Sequence, residues 1–109
     1  MALDAAQLTT AMVNAALGVI KKQTPDIMAY AATEFRQIAD AMAWIAVGAA
    51  TGHMTAEEAA LHLKIQRGAS INVAKTVQGL GELEAEAAIN AALAAVRETV
   101  NAALPFKLL

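Results

Sequence analysis

The stretch "TGHMTAEEA", Thr51–Ala59, decides how the chain reads. Gly52 suits a left-handed helix terminus, because it has no Cβ to penalise positive φ. Thr55-x-x-Glu58 is a capping box, in which each side chain satisfies an orphaned backbone amide at a helix start. Met54, just before the cap, is placed to staple onto Ala59. One helix therefore ends and another begins within a few residues.

Upstream, "KKQTPDIM" marks a second boundary. Thr24 offers an oxygen to an early helix amide, and Pro25 at the first helical position loses no needed donor. The second helix is predicted from Pro25 to about Thr51, with Met28, Ala31/Ala32, Phe35, Ile38/Ala39, Met42, Ile45/Ala46 and Ala49 as its apolar stripe. Glu34, Arg36, Gln37 and Asp40 give it a polar side that fades after Asp40. The first helix is predicted over 4–22, with Leu8, Met12, Ala15, Ala16 and Val19 in one stripe and Val13, Leu17 and Ile20 in another. Asp4 and Lys21-Lys22 suit its dipole.

Downstream, the third helix is predicted over 56–78, carrying Leu61, Ile65, Ala69, Val73 and Val77 at i, i+4 spacing. Gly68 sits mid-helix at a cost of about 1 kcal/mol relative to alanine. "QGLGE" admits two readings. Either Gly79 ends this helix and the fourth starts near Glu82, or one helix of roughly 70 Å runs from Ala56 to Ala103. Two glycines within three residues favour the break. The fourth segment, 82–103, carries Leu83, Ala87, Ile89, Leu93, Val96, Val100 and Leu104. Pro105 stops it, leaving the tail 105–109. Alternating β-branched runs and hairpin turns are nearly absent. The expected fold is an all-α, alanine-rich bundle of about four segments in a single domain, 1–109.

Composition bounds the function. The 109 residues are 58% apolar and 17% charged, and 29 are alanine. Alanine builds helices while adding little core volume, and there are only four aromatic residues, so the chain lacks bulk for an elaborate pocket. The net charge is −2 and the basic residues are dispersed. Nucleic-acid affinity needs a basic face to neutralise phosphates, and none is visible. No cysteine is present, which removes disulfides, thiolate nucleophiles and Cys-ligated metals. Asp4 and the lack of a long apolar run argue against a signal peptide, so a cytoplasmic chain (or a virion component, if phage-encoded) is expected.

Candidate chemistry is thin. Glu58 and His62 share a helix face and His53 could approach from the loop, but a zinc site wants three or four ligands in fixed geometry. Di-iron bundles use paired Glu-x-x-His motifs, which are missing. Ser70, the only serine, has no nucleophile elbow, and "GLGE" lacks the strand and third glycine of a dinucleotide fingerprint. No catalytic residue, cofactor or metal is assigned. Asn14, Asn72, Asn90 and Asn101, with Thr10, Thr76 and Thr99, lie near apolar faces, where buried amides can set helix register.

Two uncharged runs, Ala5–Ile20 and Ala41–Ala56, are sixteen residues each. A bilayer span takes about 20 mainly apolar residues. A membrane-active helical protein is thus the alternative, and self-association the preferred reading. Ala39/Ala43, Ala46/Ala50, Gly48/Gly52 and Ala87/Ala91/Ala95 allow close helix approach, within one chain or between chains. The charge-free stretch Trp44–His53 reads as enclosed by helices, with Gly48 at a helix contact. Trp44, Gly48, Phe106, Leu108 and Leu109 are the interaction candidates, although the tail could equally fold back on its own bundle.

At "LHLKIQRGASINV" (61–73) and "AEAAINAALAAVRETVNAAL" (85–104) the chain resembles small uncharacterised helical proteins encoded in bacterial and prophage genomes. The resemblance implies a structural or accessory role and carries no functional residues. The expected function is a non-enzymatic helical scaffold or protein-interaction module that forms a homo-oligomer, with a protein partner and no nucleic acid.

Overall fold

A computed structural model of the chain describes residues 3–76 and 78–109. Four α-helices are present among them: α1 (Ala5–Leu17), α2 (Pro25–Ala50), α3 (Ala56–Thr76) and α4 (Glu82–Ala102). Each helix packs on its neighbour in sequence, and α1 also packs on α4, closing a four-helix ring of 41 × 22 × 17 Å. The fold is an all-α bundle, and no strand occurs among the described residues.

The caps form as their residues require. Asp4 Oδ1 accepts from the amides of Ala6 (3.0 Å) and Gln7 (3.3 Å), and Thr24 Oγ1 accepts from Ile27 N–H (3.2 Å). At the α2–α3 turn, Gly52 takes φ +75°. Its amide donates to Ala49 O (3.3 Å) and that of His53 to Gly48 O (2.8 Å), the paired bonds of a Schellman motif. The capping box is complete: Thr55 N–H donates to Glu58 Oε1 and Glu58 N–H to Thr55 Oγ1, both at 3.1 Å. Gly79, at φ +70°, separates α3 from α4, with Leu80 N–H closing back on Ala74 O (3.0 Å), so the long continuous helix is not formed.

α1 is shorter than the sequence predicts. It ends at Leu17, Gly18 is its C-cap, and no basic residue lies in its last turn. Lys21-Lys22 are therefore outside the helix and do not complement its dipole. Leaving the helix lets Ile20 tuck into the core while Val19 is exposed, and Lys21 N–H donates to Glu84 Oε2 (2.9 Å), tying the α1–α2 turn to the start of α4.

The core is centred on α2. Phe35, Ile38, Met42 and Ile45 are fully buried, with Met12 from α1 and Ile89, Val96 and Val100 from α4. Met28 and Ala32 of the expected stripe lie outside it, and Ile27 and Tyr30 take their turns of the helix. Ala85, Ala88 and Ala92 form the close-packed face of α4, while Leu83, Ala87 and Ala95 face out.

α3 departs most from the pattern. Its buried residues are Ala59, Leu63, Ser70 and Ala74, whereas Leu61, Ile65 and Ala69 face solvent and Val73 is half-buried. Val77, the last residue of the expected stripe, lies outside the described residues. The reason is polar. Tyr30 Oη donates to Ser70 O (2.8 Å), and Ser70 Oγ donates to Glu34 Oε1 (3.3 Å). Glu34, read from sequence as part of the polar side, is only 9% exposed. Gln66 Nε2 donates to Gln37 Oε1 (3.4 Å) on one flank, and Arg67 Nη2 to Asn90 Oδ1 (2.8 Å) on the other.

Burial, then the nearby Glu34 charge, pushes the Tyr30 phenol up to about 12 from 10.0. Its pKa is raised on folding, so the associated stability is present below pH 10 and is lost as pH rises towards 12. Tyr30 is the only tyrosine. Titration followed by near-ultraviolet absorbance is expected to show one midpoint near 12; a midpoint near 10 in the folded protein contradicts the buried contact.

The Thr55 amide, then the Thr55 hydroxyl, holds the Glu58 carboxyl below its usual 4.5, with His62 adding to the effect. A depressed acid pKa stabilises above the unfolded value and loses that contribution as pH falls through the folded value. Thr55→Ala should cost about 1 kcal/mol. Glu58→Gln should flatten the acid limb of stability below about pH 4.5, measured by urea unfolding across pH; an unchanged limb contradicts the assignment.

Candidate interaction surface

The outer face of α2 changes character at Asp40. Before it, Arg36 Nε pairs with Asp40 Oδ1 at 3.1 Å in solvent. Beyond it lie Ala43, Trp44, Val47 and Ala50, with Trp44 56% and Val47 62% exposed. The Trp44 ring meets His62 edge-on, centroids 5.0 Å apart and planes at 89°. This contact joins the face to α3, where Leu61 is 58% and Ile65 61% exposed. Trp44 and Val47 of α2 and Leu61 and Ile65 of α3 are thus large apolar side chains exposed on adjacent helices, and the Trp44–His62 contact lies between the two. Exposed apolar side chains that adjoin one another mark contact sites more often than scattered single ones do.

Only part of Trp44–His53 is enclosed. Ile45 and Ala46 are buried and Gly48 and Ala49 half-buried, but the remainder is open to solvent. Gly48 also serves a different contact from the expected one. A Cβ placed there would meet Met54 Cβ at 3.2 Å, so the missing side chain admits the α2–α3 turn rather than another helix.

The tail is folded back. Phe106, Leu108 and Leu109 pack on the edge of the core, and Asn101 clamps them. Asn101 Oδ1 accepts from the amides of Leu108 (2.9 Å) and Leu109 (3.0 Å), and its Nδ2 donates to Leu109 O (3.0 Å). Phe106, Leu108 and Leu109 thus cover the bundle's own end, the alternative the sequence left open beside docking. Of the amides singled out in the sequence, Asn101 alone makes such a clamp; Asn14, Asn72 and Asn90 are exposed.

The chemical candidates disperse. Glu58 is held in the capping box, His53 Nδ1 meets Thr51 Oγ1 (3.1 Å), and His62 faces Trp44. Among the described residues no three His, Cys, Asp or Glu side chains gather as metal ligands. Ser70 Oγ is buried against Glu34. A groove of about 310 Å³ runs beside Leu3, Ala46, Val47, Ala50 and Ala103. Its one side-chain hydroxyl, on Thr51, is committed to Val47 O (3.0 Å) and Gly48 O (3.2 Å). Small-molecule sites need a few converging polar groups, which this groove lacks. An open hollow of about 470 Å³ beside Tyr30, Glu34 and Asp26 exposes the Asp26 carboxylate and has no basic residue in its lining.

Comparison with protein-family models, curated proteins and solved structures found no match in any of the three.

Removing 105–109, or Asn101→Ala, is expected to lower the thermal midpoint of the monomer while leaving its helicity and its association state unchanged, as circular dichroism and sedimentation report. Lost association with an unchanged midpoint contradicts the folded-back assignment.

Proposed function

We propose that this chain is a non-enzymatic helical scaffold or interaction module that assembles with copies of itself. The observation that carries the reading is the apolar surface of Trp44, Val47, Leu61 and Ile65, which the chain's own helices leave uncovered. Tryptophan is enriched at interface centres, and large apolar side chains gain most from being covered. The titratable groups that make contacts serve caps, two exposed ion pairs, surface hydrogen bonds and one buried hydrogen bond, which suits a building block. Its setting is a structural or accessory role in a bacterial or phage assembly, in the cytoplasm or a virion, a reading supported by the resemblance of 61–73 and 85–104 to such proteins.

Sedimentation equilibrium over a concentration series is expected to show a mass above that of the monomer. Emission of Trp44, the only tryptophan, should move to shorter wavelength as the complex forms. Ile65→Lys and Leu61→Lys should each weaken association while changing monomer stability by no more than about 0.5 kcal/mol. A strictly monomeric mass at the highest soluble concentration, or flotation with vesicles in place of self-association, overturns the reading.

A further inference from the structure

Gly68 lies mid-helix on the outer side of α3, and a Cβ added to it would meet nothing within 4 Å. A glycine there costs about 1 kcal/mol relative to alanine. Within one chain nothing offsets that cost, because no backbone or side chain uses the gap. Leu61, Ile65, Gly68 and Asn72 recur at helical spacing along this side, and all four are exposed. The row has a knob, Ile65, and a hole, Gly68.

Its ends carry opposite charge. Glu57 lies in the first turn of α3 and Lys75 in the last. Lys75 Nζ stands 3.5 Å from Glu82, an exposed pair that leaves donors free for a second carboxylate. Such a row complements itself only when one copy is reversed. In a two-fold contact each residue meets its counterpart reciprocally. Pairing Ile65 with Gly68 places the axis between Gln66 and Arg67, and pairing Glu57 with Lys75 places it at Gln66, within a residue of the same point. Gln66 and Arg67 themselves lie on the flanks that face α2 and α4, bonded to Gln37 and Asn90, and stand outside the row, which Lys64 adjoins near its middle.

We infer that the outer row of α3 seats α3 of a second copy of this chain, antiparallel, with Ile65 of each copy over Gly68 of the other and Glu57 facing Lys75. This rests on the reading of the chain as self-associating and adds the surface, the orientation and the register.

Charge reversal tests the orientation. Glu57→Lys and Lys75→Glu should each raise the dimer dissociation constant about ten-fold, since each puts like charges at both ends of the contact. The double variant should recover to within a few-fold of wild type, although neither change repairs the other within a monomer. Gly68→Ala should raise the thermal midpoint of the dilute monomer by improving helix propensity, and yet weaken the dimer. Gly68→Leu should abolish the dimer with helicity intact. If the wild type associates but the double variant gives no recovery and Gly68→Leu associates normally, the antiparallel α3 contact is overturned and self-association stands. A wild type that stays monomeric overturns both.

Discussion

Ser70 has no exposed surface, and a hydroxyl removed from water without a partner costs kilocalories. Its partner is the Glu34 carboxylate, and its own carbonyl receives the Tyr30 hydroxyl. These two bonds fix which side of α3 meets α2. A helix has one rotation about its axis, so the side opposite Ser70 is fixed at the same time. That opposite side carries Leu61, Ile65 and Gly68. The exposed apolar surface is thus a geometric consequence of a buried polar contact on the far side of the same helix.

The same logic shows what the sequence displays and what it hides. Caps and stops are local: Thr24-Pro25, Gly52 and Thr55-x-x-Glu58 act within a few residues, and all three stand in the structure as their residue types require. The face of α2 is legible because Phe35, Ile38, Met42 and Ile45 leave little choice over which side is dry. α3 misleads because Leu61 and Ile65 lie on its outer side, while Ala59, Ser70 and Ala74 are buried with Leu63 on the inner one. A hydrophobic pattern ranks residues by apolar character, whereas packing between closely spaced helices selects by size and by polar pairing. Glu34 gave one warning in the sequence, standing four residues after Tyr30 beside the apolar stripe, where a buried hydrogen bond was open to it.

The surface itself was half legible. Trp44 stands out because aromatic residues are scarce, and it is exposed. Leu61 and Ile65 were hidden by their good fit to a core stripe. The tail could not be placed by its own residues. Its fate depends on Asn101, whose amide satisfies two backbone donors and one acceptor that would otherwise be left open at the bundle's edge.

The charge pattern separates two environments that an apolar face could enter. A helix lying on an anionic bilayer gathers lysine and arginine along its polar face. α3 instead begins with Glu57 and Glu58 and places Lys64, Arg67 and Lys75 further along, acid before base. No helix of the described residues is long and apolar enough to cross a membrane. Signs segregated along a helix axis match a second helix running the other way, charge against charge, and gain nothing from a surface of uniform sign. In the proposed contact, burial would supply the attraction, and the terminal charges and the gap at Gly68 would select the arrangement.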